Sequence, residues 1–154
     1  MSYRRVMQTE PTPADHPRID PSAVNAMVSE AFPGSRARCT AIERSFATAT
    51  LITSHEDLRP GGFIAGPTQF AIADAVLWYL VFGAIGRVEP MALTSELSIR
   101  FVRPAIGSVL NARADLAAAG RRNIVSSFTV WADDNAHRAS AVGQGTYALP
   151  TATA

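Results

Sequence analysis

Between Arg59 and Arg87 the only charged side chain is Asp74. It stands in a run that is apolar at nearly every position: Phe70, Ala71, Ile72, Ala73, Ala75, Val76, Leu77, Trp78, Tyr79, Leu80, Val81 and Phe82. A carboxylate in such surroundings is costly unless it is paired, hydrogen-bonded or protonated. Kept there, it has the makings of a general base or a nucleophile. Eight residues earlier, Gly66-Pro67 reads as the start of a helix, with Gly66 as N-cap and Pro67 at the first helical position. Free N–H groups and the helix dipole favour negative charge at such a start, so the Gly66 N–H suits a developing oxyanion. The plain alternative for Asp74 is a carboxylate satisfied by polar groups across a subunit interface.

Other reactive side chains are few. His16, His55 and His137 match no zinc template, and there is no phosphate-loop or dinucleotide glycine fingerprint. His55 falls in a polar turn and reads as a surface residue. Cys39, the one cysteine, excludes an intramolecular disulfide and reads as core packing. Arg59 has two readings: a solvated loop residue, or a partner for Asp74. Arg100, Arg103, Arg121 and Arg122 could meet phosphates, since guanidinium forks suit phosphate oxygens, or simply face water.

Elements that could position these groups follow from periodicity. Asp20-Pro21 is a helix start, and Val24, Met27, Val28 and Ala31 recur at helical spacing before Pro33-Gly34, predicting a helix over 21–31. Residues 36–53 alternate as one long strand or two paired ones. The run from Gly66 onward is apolar all round, which predicts a helix swallowed by the rest of the protein and stopped by Gly83 or Gly86. Its uninterrupted apolar part, 70–85, is short for a bilayer and carries a carboxylate. Beyond it the period changes to two. Met91, Leu93, Ser95, Leu97, Ile99 and Phe101 alternate with Ala92, Thr94, Glu96, Ser98 and Arg100. Three more strands follow, the last over about 138–149, where Gly143 and Gly145 suggest a bulge or a close backbone approach. The expected fold class is α+β, an antiparallel sheet wrapped around one long apolar helix, with a second copy covering what the sheet leaves open.

The bulk numbers agree with one domain. The chain has 154 residues, 18% charged, with a formal net charge of +1, so nothing draws it to nucleic acid or to a membrane surface. Residues 1–18, rich in proline, read as a flexible arm, and 19–150 as the domain. No secretory pattern opens the sequence, so the cytoplasm is the expected location.

Several of these residues also carry a resemblance. Leu58-Arg59-Pro60-Gly61-Gly62-Phe63-Ile64-Ala65-Gly66-Pro67, followed by Asp74, is similar to the hotdog-fold thioesterases of the phenylacetic-acid-pathway (PaaI-like) type. Leu97-Ser98-Ile99-Arg100-Phe101-Val102-Arg103-Pro104-Ala105, with Gly107, resembles that family's strand ending in an aromatic, Arg-Pro and glycine, and Gly120-Arg121-Arg122 its next turn. The resemblance covers roughly 36–149.

It implies a hotdog fold and an acyl-CoA thioesterase. Asp74 would be the base or nucleophile, the Gly66 N–H the polariser of the thioester carbonyl, and Thr94 a hydroxyl that helps hold the attacking water. Arg59, Ala65 and Pro67 would line the substrate, standing where the family typically has asparagine, histidine and a second glycine. Arg103, Arg121 and Arg122 would approach the nucleotide. The resemblance implies no cofactor beyond the coenzyme A of the substrate, and a homodimer or homotetramer with the site at a subunit interface. A non-hydrolytic acyl-CoA-binding protein on the same fold is the alternative. A hydratase is a weaker third reading, because no histidine lies near the helix in sequence.

Overall fold

The computed structural model describes residues 17–151, so most of the expected arm over 1–18 lies outside the described residues. Helix α1 spans Pro21–Ala31 as predicted, and the Asp20 carboxylate caps it by accepting from the Ser22 N–H at 2.9 Å. Strands β1 (Arg38–Ile42) and β2 (Phe46–Ile52) are the two paired strands that 36–53 allowed. A two-residue ladder, β3 (Leu58–Arg59) with β4 (Phe63–Ile64), leads into the long helix α2 (Gly66–Ile85). Then come β5 (Leu93–Phe101), β6 (Val109–Ala119), β7 (Asn123–Ala132) and β8 (Ala141–Ala148).

The six long strands form one antiparallel sheet in the order β1-β2-β6-β7-β8-β5, and α2 lies across it. The four strands after α2 are therefore not all neighbours in sequence order. The β5 strand pairs with β8 and sits at the edge, and the chain crosses the sheet to begin β6 beside β2.

Helix α2 is the hub. Ile72, Ala73, Val76, Leu77, Tyr79, Leu80, Val81 and Phe82 are buried, most of them completely. At 20 residues the helix is long and apolar enough to cross a bilayer, but the sheet covers much of it. The start of the helix differs from the sequence expectation by one residue, and its end falls at one of the two glycines expected. Ala65 is the N-cap, Gly66 the first helical residue and Pro67 the second, while Gly86, in the left-handed region at φ 74°, ends the helix. Gly83 instead lets α2 lie against the β1–β2 turn, since a Cβ there would fall 2.2 Å from the Glu43 carbonyl oxygen. In β8 the close-approach reading holds for Gly145, where a Cβ would meet Leu77 of α2 at 2.6 Å.

The two sheet edges are finished differently. The β1 edge is blunted, because the Asn25 side-chain amide donates to the Cys39 carbonyl (2.9 Å) and accepts from its N–H (2.8 Å), occupying both groups. The β5 edge has no such cover among the described residues, and Leu93 and Phe101 are exposed along it. Beside it, Pro67, Phe70 and Ala71 form an exposed stripe on α2 that runs down to Asp74. Uncovered strand edges next to apolar surface invite pairing.

Candidate active site

Asp74 sits two turns into α2, where helical spacing puts it on the same face as Phe70, Ala71 and Trp78. It is half-buried, less enclosed than its apolar surroundings in sequence imply, because its face of α2 is the one the sheet leaves open. One carboxylate oxygen, Oδ1, accepts from the Thr94 hydroxyl at 2.8 Å and from the Tyr147 hydroxyl at 2.7 Å. The Tyr147 hydroxyl also lies 3.1 Å from the Asp74 backbone carbonyl. These groups open on a cavity of about 340 Å³, whose apolar walls include Phe32, Trp78 and Leu93. Trp78 meets Phe32 edge-on at 5.3 Å and Phe82 at 5.0 Å, so its ring joins the core to this cavity wall.

Thr94 reaches Asp74 only because β5 is irregular. Strict alternation puts Thr94 on the face opposite Leu97, Ile99 and Phe101. The pairing with β8 slips between Thr94 and Glu96, leaving Ser95 as an extra residue, so that Thr94 pairs with Tyr147 and Leu97 with Gly145. The bulge turns Thr94 onto the helix-facing side, a common use of bulges beside functional sites. In sequence Tyr147 reads as an ordinary aromatic in a strand. Its one signal is the register, which is visible only once β5 and β8 are paired.

Gly66 is held by a separate network. Asp57, buried at 4% exposure, accepts from the Arg36 guanidinium, the Ser54 N–H (2.7 Å) and the Thr68 hydroxyl (3.0 Å), while its carbonyl accepts the Ala65 N–H at 2.7 Å. The loop before α2 is thereby fastened to the first turn of the helix. Within the polar turn that holds His55, both His55 and Glu56 face solvent, but Asp57 is an anchor. As the first helical residue, Gly66 has an N–H with no acceptor within the helix, and the Phe101 ring lies 3.2 Å from where a Cβ would stand. Pro67 removes the next donor.

The Arg36 guanidinium, outweighing burial, holds the Asp57 carboxyl well below the usual carboxylate range. A depressed carboxylate pKa contributes stability that is complete above its unfolded value, about 4, and is lost as pH falls further. Arg36 is half-exposed, which reduces the effect, so Arg36→Ala is expected to cost about 1–2 kcal/mol at pH 7. Urea unfolding of both proteins at pH 7 and pH 3 checks this. The gap should shrink at pH 3, and a gap that widens would contradict it.

Among the described residues, Gly66 and Asp74 line two separate hollows. Eight residues of helix separate them by roughly 12 Å. Gly66 lines a different hollow of about 740 Å³, together with Arg59, Pro67, Phe101 and Arg103. Arg59 therefore stands at the Gly66 end, and the described partners of the Asp74 carboxylate are Thr94 and Tyr147, not Arg59. Ala65, the N-cap, brings no side-chain hydrogen bond to the helix start. Arg103 also donates to the Ala139 carbonyl at 3.1 Å, and Arg100 is exposed on β5. Arg121 and Arg122 lie on the β6–β7 turn, next to the end of β8 that carries Tyr147, where the Arg122 carbonyl accepts the Leu149 N–H. Cys39 is buried as expected, and burial pushes its thiol up to about 12, which removes thiolate chemistry near neutral pH.

Comparison with known proteins adds a family. The model of the thioesterase superfamily matches residues 61–139, a stretch that includes Gly66, Asp74, Thr94 and Arg103. A structure described as a thioesterase from Silicibacter sp. TM1040 is similar at 29% identity and a TM-score of 0.75, over 86% of this chain and 93% of that one. A thioesterase from Haemophilus influenzae, at 17% identity, has a TM-score of 0.74 over 86% and 92% of the two chains. The PaaI protein of the E. coli phenylacetic acid degradation operon, at 19%, has a TM-score of 0.67 over 86% and 90%. These last two share the fold. No match was found among curated proteins.

Proposed function

This chain belongs to the thioesterase superfamily, and from that premise we propose that it hydrolyses an acyl-coenzyme A thioester in a site that two copies assemble. The observation that carries the proposal is the Asp74 carboxylate, oriented by two hydroxyls at the wall of an open cavity. Thr94 spends its one hydrogen on Asp74, so toward a water it can only accept. A water that donates one hydrogen to Thr94 and the other to Asp74 Oδ2 keeps a lone pair for the acyl carbon.

In the base route, Oδ2 takes a proton as the water oxygen bonds to that carbon and the carbonyl electron pair moves onto oxygen. The Gly66 N–H, at a helix start, stabilises that oxyanion. As the carbonyl re-forms, the C–S bond breaks, and the departing thiolate takes the proton back from Asp74. Water and thioester become acid and thiol.

The two halves of this machinery lie at opposite ends of one open strand. Thr94, bonded to Asp74, is near the start of β5, and Phe101, packed on Gly66, is its last residue. Antiparallel pairing of two β5 edges about their midpoint would bring Asp74 of one copy to Gly66 of the other and cover the exposed stripe of α2. Arg59 and Arg103 of the second copy would then flank the same site as Arg121 and Arg122 of the first, a cationic rim suited to the phosphates of coenzyme A.

One observation favours the non-hydrolytic reading. Neither Ala65 nor Arg59 brings a neutral side-chain donor to the oxyanion region beside the Gly66 N–H. Release of free thiol from short, medium, long and aromatic acyl-CoAs separates the two. Turnover of at least one is expected, whereas saturable binding of acyl-CoA with no release from any would overturn the hydrolase in favour of the binder.

A further inference from the structure

We infer that Tyr147 is a positioning residue: it fixes the Asp74 carboxylate by Oδ1 and so makes Oδ2 the oxygen presented to the ligand. The inference rests on the hydrolytic reading of this site and deepens it. A carboxylate oxygen has two lone-pair positions, and on Oδ1 both are filled, by Tyr147 at 2.7 Å and Thr94 at 2.8 Å. Among the described residues nothing bonds Oδ2. Two donors reaching one oxygen from β8 and from β5 oppose rotation about the Cβ–Cγ bond, which a single donor would allow.

Tyr147 is well suited to hold that geometry. It is 5% exposed, on a strand paired with β5 on one side and β7 on the other, so the close packing around its ring opposes any swing away from Asp74. Burial first, and the Asp74 charge second, push its phenol far above the ordinary tyrosine range. The hydroxyl therefore remains a donor at any pH where the protein works. Thr94, by contrast, is exposed on an edge strand beside a bulge, and has a second task toward water. Of the two anchors, the tyrosine is the fixed one.

The test is a double-mutant cycle over wild type, Tyr147→Phe, Asp74→Asn and the double variant, read by turnover, with a second cycle read by unfolding. Phenylalanine keeps the ring and removes only the hydroxyl. In acyl-CoA hydrolysis, Tyr147→Phe should lower kcat roughly tenfold with KM within about twofold, and should change nothing further in the Asp74→Asn background. An unchanged kcat, or the same loss in both backgrounds, would overturn the inference while wild-type turnover keeps the hydrolase standing. In the second cycle Asp74→Ala replaces Asp74→Asn, because alanine removes the acceptor that asparagine keeps, and urea unfolding of its four proteins reads the contact without turnover. If the wild type releases no thiol, the hydrolytic reading fails separately, and unfolding decides on Tyr147: coupled effects uphold its hold on Asp74, and additive effects overturn it.

Discussion

Asp74→Asn is expected to cut thioester turnover by roughly 10²–10⁴-fold, with KM and the melting temperature little changed. The side chains are nearly isosteric, and the amide carbonyl can still accept from Thr94 and Tyr147, which would hold it where Oδ1 is held now. The NH₂ group then takes the place of Oδ2. An acceptor facing the water becomes a donor, which can neither take a proton nor attack carbon. Because no packing is lost, thermal unfolding run beside steady-state thiol release separates chemistry from folding. A variant that keeps more than about half of wild-type kcat would remove Asp74 from the mechanism, since a positioned base is worth at least 10²-fold.

Much of this architecture was legible because a few strong signals agreed. An all-round apolar run starting at Gly66-Pro67, short for a bilayer and carrying a carboxylate, reads as a central helix, and Asp20-Pro21 with Pro33-Gly34 bounds α1 to the residue. Asp74 and Gly66 stood out because each breaks a local rule, one by its charge and the other by opening a helix. What was hidden depends on contacts between distant segments. The slip at Ser95 obeys no local pattern, so alternation assigned Thr94 to the wrong face, and Tyr147 could not be linked to Asp74, 73 residues earlier, before β5 and β8 were paired. Asp57 was hidden for the same reason. In sequence it ends a polar turn, and only Arg36, 21 residues before it, and Thr68, 11 after it, make it an anchor. The crossing from β5 to β6 was equally invisible, since four alternating segments in a row suit a simple meander as well as the observed order.

The proposed two-copy site leads to the second large effect. Gly66→Val should abolish turnover, because its branched Cβ would press on the Phe101 ring, 3.2 Å from that position, and fill the space where the thioester carbonyl must lie. Within a homodimer, every site of this variant lacks a usable Gly66, and every site of Asp74→Asn lacks the carboxylate. In a mixed dimer one site combines both faults and the other has neither. Co-expression of the two variants, followed by thiol-release assay of the pool, is therefore the most direct test of the account. With random pairing, half the dimers are mixed and one of their two sites is intact, so recovery of about a quarter of wild-type activity is the predicted result. Mixed dimers isolated through one tag on each copy that remain as inactive as their parents, beside an active wild type, would contradict it.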